Sequence, residues 1–218
     1  MKQKQTYFLR ASFALVFFVM LGYIVKFYPE NLTAIDSSIQ TAIRGNLSNG
    51  ITTFFKIITI FGNELIIFLY VLIIAGLFYY IKVWKSESFF LIGNLCLMGI
   101  FSTGFKYLYN RPRPSLDYLI AKPLGPSFPS WHAASTFIVF ICLIIILQER
   151  MKNLALRRLF QACLVILIIC VGLSRIFLGV HYPSDIIGGW LLAYALVNVT
   201  YPFYNQKRFE WRFHSKQK

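Results

Sequence analysis

Acidic residues are scarce in this chain. Eight Asp and Glu stand against 22 Lys and Arg in 218 residues, and they are scattered, so no pair is placed to build a two-metal hydrolytic clamp. Histidine is scarcer still, at three. The four cysteines, Cys96, Cys142, Cys163 and Cys170, fall inside apolar runs without metal-ligand spacing; they are expected to be small buried thiols and say little about redox compartment. No cofactor and no metal is therefore expected. Charged residues make up only 14% of the chain and hydrophobic ones 57%, with a mean hydropathy of +0.61. A soluble domain is apolar over roughly 45–50% of its length, so a soluble globular fold is excluded. The net charge of +14 does not point to nucleic acid, because Lys and Arg sit in short segments between apolar runs rather than on one soluble face. A positive-inside bias of a membrane protein explains them.

What is present is a series of apolar runs near the roughly 18–20 residues that a bilayer crossing needs. The first, Ala11 to Phe27, follows Lys2, Lys4 and Arg10 as a signal peptide would, but it lacks a small-x-small cleavage site and is read as a retained span. Tyr28-Pro29-Glu30 closes it. From Asn31 to Asn49, Leu32, Ile35, Ile39 and Ile43 recur at helical spacing between polar residues, which predicts a short amphipathic helix on the membrane surface, ended by Gly50. Ile51 to Tyr80 is broken at Gly62-Asn63-Glu64 into a short interfacial piece and a second span, 64–81. Glu64 has two readings, a functional acid at the mouth of a span or a first-turn charge meeting the helix dipole.

The third span, 89–108, follows Lys82-Val83-Trp84-Lys85 and carries Gly93, Gly99 and Gly104 on a small-residue pattern suited to close helix packing. Residues 109–130 form a proline-rich loop, with Arg111, Arg113 and Lys122, that is too long for a mere connector. Ser130 reads as the N-cap of span four, 131–147. A short basic connector, 148–158, leads to span five, 159–178, and span six covers 185–201. The basic and aromatic tail from Lys207 to Lys218 reads as an interfacial anchor. The expected fold is all-α and one domain over residues 1–218: a polytopic membrane bundle of six transmembrane helices with a short interfacial amphipathic helix after the first.

Fourteen of the 22 Lys and Arg fall on the N-terminal side of this layout, which puts both termini in the cytoplasm. Even numbers of spans separate Lys106, Arg113, Ser130, His132, Arg175, His181 and Asp185, so all seven reach the opposite, outer face. Singly, each has a bland reading: Lys106 a snorkelling lysine, Arg113 a loop charge, His132 a satisfied cap, His181 a structural loop histidine. Jointly they fit phosphoryl transfer. Lys106, Arg113 and Arg175 would neutralise phosphate oxygens, and Ser130 with the free N–H groups at the start of span four would form an anion site. His181 would attack phosphorus, Asp185 would hold its other ring nitrogen, and His132 would protonate the leaving oxygen.

With those residues in place, the chain resembles the type 2 phosphatidic acid phosphatase superfamily of membrane lipid phosphatases. The family's Lys-x6-Arg-Pro is similar to Lys106 through Arg113-Pro114, its Pro-Ser-Gly-His to Pro129-Ser130-Trp131-His132, and its Ser-Arg-x5-His-x3-Asp to Ser174-Arg175 through His181 to Asp185, a motif region of 106–185. The resemblance implies a metal-independent phosphatase with His181 as nucleophile and His132 as acid. Trp131 departs from the pattern, standing where the family has glycine; its N–H can still face phosphate, while its indole is expected to narrow the pocket, stack on the substrate or anchor the span. The substrate expected is a lipid phosphate monoester or diphosphate, of phosphatidylglycerophosphate or phosphatidate type, with undecaprenyl diphosphate as the alternative. A lipid phosphotransferase would use the same site, and a channel is disfavoured because charge stays at span ends. Expected partners are the membrane and the lipid, with no nucleic acid and no obligate protein, and the expected location is the plasma membrane.

Overall fold

The structure, a computed structural model, describes residues 2–45, 47–81 and 84–216. Every regular element among them is helical: α1 (Lys2–Phe27), α2 (Glu30–Arg44), α3 (Asn49–Ile58), a 3-10 turn (Thr59–Gly62), α4 (Glu64–Tyr80), α5 (Lys85–Tyr109), α6 (Trp131–Arg150), α7 (Leu154–Phe177) and α8 (Pro183–Lys216). Five helices, α1, α5, α6, α7 and α8, are long and apolar enough to cross a bilayer. In addition, α3 with the 3-10 turn meets α4 at a bend of 53°, and this pair is together apolar and long enough to form either a sixth, broken span or a re-entrant loop. On its own, α4 rises about 25 Å over its 17 residues, short of a hydrocarbon core of roughly 30 Å.

The bundle is organised around α6. Its apolar window is 56% buried against 28% for α1, and it packs on α4, α5, α7 and α8 while α1 runs along α8. The outer faces of α1, α4, α5 and α7 leave large apolar residues such as Phe13, Leu72, Ile100 and Ile166 exposed, as expected where lipid is the solvent. At the end of the bundle away from the motif residues, a fully buried Glu87 on α5 accepts from Arg150 Nε of α6 at 2.7 Å and Tyr204 of α8 at 3.2 Å. This buried polar clamp ties three helices together and was not foreseen.

Several boundaries differ from the sequence reading. The amphipathic helix ends at Gly45, whose φ of +43° stops it, and Gly50 instead lies in the first turn of α3. The basic connector shrinks to residues 151–153, because α7 already begins at Leu154 with Asn153 as its cap. The tail is not a segment apart from the last helix: α8 continues through it to Lys216, and Arg208 pairs with Glu149 of α6. Gln217 and Lys218, the side chains from Arg212 onward, Lys82 and Val83 lie outside the described residues. Of the glycines on α5, only Gly99 faces a neighbour, where an added Cβ would lie 3.6 Å from the Trp131 ring, while Gly93 and Gly104 face open space. Cys142 is buried and Cys170 half-buried, but Cys96 and Cys163 are exposed on outer helix faces, where a core position was expected.

Candidate active site

Four helix ends converge at one end of the bundle: the C-termini of α5 and α7 and the N-termini of α6 and α8. The last two touch because α8 offers no side chain where they meet. A Cβ on Gly188 would lie 2.4 Å from the ring of Phe128, and one on Gly189 would lie 2.9 Å from the Ser130 carbonyl oxygen. This approach lets the Ser130 N–H donate to the Asp185 carbonyl at 3.1 Å, which fixes the two motif segments relative to each other.

His181 sits in the short turn between α7 and α8, which Gly179 makes possible with a φ of +81°. The Val180 and His181 N–H groups donate back to the Arg175 carbonyl at 3.2 and 3.3 Å, and Gln40 of α2 donates to the His181 carbonyl at 3.2 Å. The imidazole is buried, with Nδ1 3.1 Å from Asp185 Oδ2. That carboxylate favours the tautomer with hydrogen on Nδ1 and a lone pair on Nε2. Arg113 Nη1 lies 3.3 Å from Nε2, a donor facing that lone pair. Burial first, then the charges of Lys106, Arg175, Arg113 and Arg111, push the His181 pKa well below its ordinary value of 6.5. Burial likewise lowers the Arg113 pKa, against the opposing pull of Asp185.

These residues face a cavity of about 410 Å³ whose walls include Lys106, Arg113, His132, Arg175 and His181. Lys106 Nζ donates to the Pro126 carbonyl at 2.7 Å, and Arg175 Nη1 donates to Thr59 Oγ1 at 2.7 Å while its Nε is buried without a partner. Ser130 occupies the N-cap position, but its hydroxyl makes no capping bond and is likewise buried without a partner. The expected cap is thus present in place only, and the first-turn N–H groups of α6 are not met by it. Asn63, by contrast, caps α4 through bonds from Leu65 and Ile66, so Glu64 is its first residue, exposed, and also on the cavity wall. Both readings of Glu64 find support.

Trp131 lines the cavity but is only 8% exposed, its ring stacked on Phe68 of α4 at 6.5 Å. The indole lies between Phe68 of α4 and Gly99 of α5 and forms part of the cavity wall.

The sequence reading missed the second layer of this site. Arg111 is buried between two carboxylates: Nη1 lies 2.6 Å from Asp185 Oδ1 and 2.7 Å from Ser184 Oγ, and Nη2 lies 2.8 Å from Asp36 Oδ2. Its guanidinium also stacks 4.0 Å over Tyr182. Burial lowers its pKa, but Asp185 and Asp36 outweigh this and raise it. A signal was available, since Arg111 shares the Arg-Pro-Arg-Pro segment with Arg113 and Asp36 is one of only eight acids.

An all-helical membrane bundle with a histidine–aspartate pair inside a cationic cavity is the class these observations define. The chain belongs to the PAP2 superfamily, whose family model matches residues 87–209. Among curated proteins it is similar to phosphatidylglycerophosphatase B of Bacillus subtilis, with 28% identity over 135 residues that span 59% of this chain and 62% of that protein. It is also similar to an undecaprenyl-diphosphatase of Sulfolobus acidocaldarius, 35% identical over 92 residues, 40% of each chain. The matched segments thus cover less than two thirds of either relative. Among solved structures, the PAP2-type phosphatidylglycerolphosphate phosphatase of Bacillus subtilis superposes with a TM-score of 0.80 at 22% identity over 90% of this chain and 96% of that one. Aquifex aeolicus LpxE follows with a TM-score of 0.57 at 22% identity over 75% and 94%.

Proposed function

We propose that this chain is a membrane lipid phosphatase that releases phosphate from a lipid phosphate monoester, of phosphatidylglycerophosphate or phosphatidate type, through a phosphohistidine. The observation that carries the reading is the placement of His181, with Nδ1 on Asp185 at 3.1 Å and Nε2 facing Arg113 in a cavity walled by Lys106, Arg175 and His132. The similarity to phosphatidylglycerophosphatase B supports the substrate class. Undecaprenyl diphosphate is the second reading, favoured by the other curated relative.

In the first step the Nε2 lone pair forms a bond to phosphorus as the bond from phosphorus to the lipid oxygen breaks, and protonated His132 gives that oxygen its proton. Lys106, Arg113, Arg175 and the N–H groups opening α6 hold the other phosphate oxygens. Asp185 compensates the positive charge that the phosphorylated ring acquires. In the second step His132 takes a proton from water, the water oxygen bonds to phosphorus, and the P–N bond breaks to restore Nε2. Passing the same phosphate to a lipid or sugar hydroxyl would make the protein a phosphotransferase.

Lys106, Arg113 and Arg175 on the cavity wall would supply the positive charge that metal ions supply elsewhere, and on that ground the chemistry is read as metal-independent. The cation-lined face is read as the outer one and the termini as cytoplasmic, on the Lys and Arg distribution in a plasma membrane.

The test is phosphate release by detergent-purified protein from phosphatidylglycerophosphate, phosphatidate and undecaprenyl diphosphate, with His181→Ala as control. Release should be highest from a monoester, abolished in His181→Ala, untouched by a chelator and inhibited by vanadate. Release that persists in His181→Ala, or is lost in chelator, would sink the mechanism.

A further inference from the structure

The second layer around His181 begins in α2, an element outside the family-matched segment. Along α2, Asp36 and Gln40 lie four residues apart and are buried, whereas Ile35 and Ile39 are 58% and 40% exposed. The polar face of this amphipathic helix is therefore turned toward the protein, and it touches the nucleophile's turn twice. Gln40 holds the His181 carbonyl. Asp36 takes the Ser184 N–H on Oδ1 at 3.0 Å, and on Oδ2 it takes the Ser184 hydroxyl at 2.6 Å and Arg111 Nη2 at 2.8 Å.

Resting on the reading of His181 as the nucleophile, we infer that Asp36 is a positioning residue that anchors Arg111, so that the guanidinium takes one oxygen of Asp185 and leaves the other to His181. The geometry shows the division. Arg111 reaches Asp185 Oδ1 through Nη1 alone, and Oδ2 receives His181 Nδ1 and the Tyr182 N–H at 3.1 and 3.0 Å. A guanidinium is a fork that prefers to grip both oxygens of a carboxylate. Here Asp36 occupies the second prong.

Removal of the Asp36 charge frees that prong to close on Asp185 Oδ2 in competition with His181. Two effects then act in the same direction. One negative charge leaves the neighbourhood, and Asp185 is drawn toward Arg111. The titratable groups facing His181 are Asp185 from α8, Lys106 from α5, His132 from α6, Arg175 from α7, and Arg111 and Arg113 from the long loop. With Asp185 the one anion among them, any loss of its hold makes protonation of His181 harder and lets the ring take the tautomer with hydrogen on Nε2, which cannot attack.

The chain has three histidines, so full-length protein labelled with 15N in its imidazoles gives a readable spectrum that requires no turnover. In Asp36→Asn, the His181 signals should move from a pure Nδ1–H tautomer to a mixture, and their acid transition should shift to lower pH. Where substrate is turned over, kcat should fall about tenfold or more with KM within about twofold, as for removal of a group one shell behind a catalytic side chain. Ser184→Ala, which keeps both charges and removes only the hydroxyl link, should show the same changes to a smaller degree. An unaltered His181 tautomer and transition in folded Asp36→Asn would overturn the inference. If that variant does not fold, an unaltered His181 spectrum in Ser184→Ala would do so. The spectra stand whether or not any lipid is hydrolysed, so failure of the phosphatase reading is seen separately.

Discussion

At the scale of single residues, the site is a ring of cations around one unprotonated imidazole. A free histidine takes up a proton near pH 6.5, whereas His181 is held well below that value by burial and by Lys106, Arg175, Arg113 and Arg111. Unfolded chain therefore binds a proton below pH 6.5 that folded chain refuses. The contribution of this group to stability is complete above that pH and declines as pH falls below it. If His181 is the nucleophile, as proposed, the same shift governs activity. The acid limb of kcat/KM, which reports the free enzyme, should lie below pH 6.5, as a pH–rate series from about 4.5 to 8 would show. An acid limb above 6.5 with a substrate whose own phosphate ionises at lower pH would count against His181 as the nucleophile. In the sequence, the motif positions Lys106, Arg113, His132, Arg175, His181 and Asp185 were legible because residue type and spacing state their chemistry directly. The pairing of Asp36 with Arg111 was not, because each residue stands out in the sequence but no motif couples α2 to the long loop.

At the scale of elements, the helix ends were legible where a polar residue meets an apolar run, as at Asn63-Glu64 and Ser130-Trp131. They failed where charged residues prolong a helix beyond the hydrocarbon, as Leu154 to Arg158 do for α7 and Lys207 onward for α8. The two-sided use of α2 was also hidden, since periodicity shows that a helix has a polar face but not whether that face meets water or a buried arginine. The contact of α6 with α8 rests on Gly189, where a methyl group would lie 2.9 Å from a backbone oxygen. That oxygen cannot swing aside as a side chain would. Gly189→Ala should cost about 1–3 kcal/mol, the usual price of overpacking, and should lower kcat more than it raises KM by moving Ser130 and His132 away from Asp185. Thermal unfolding and steady-state kinetics on the same preparation would check both, and unchanged kinetics would show that this contact does not set the site.

At the scale of the whole molecule, the five long apolar helices and the shared end of the motif residues followed from the alternation of apolar runs with basic segments. The break between α3 and α4 was legible too, at Gly62-Asn63, although the sequence reads there as an interfacial piece separated from a complete span, 64–81, whereas α4 pairs with α3 across a 53° bend. Orientation can be tested from outside. Leu124, 96% exposed beside the cavity, and Lys152, exposed between α6 and α7, lie at opposite ends of the bundle. In intact cells a membrane-impermeant maleimide should label Leu124→Cys and spare Lys152→Cys, and the reverse pattern would invert the topology. The two polar clusters also set a length. Glu87 and Lys106 on α5 are about 28 Å apart along the helix axis, and His132 and Arg150 on α6 about 27 Å, close to the roughly 30 Å of a hydrocarbon core. The bundle thus carries a ruler. If the Glu87–Arg150 clamp lies at one boundary of the lipid tails, the cation ring would stand at the depth of the phosphate groups on the other, and acyl chains much longer or shorter would carry those phosphates past it.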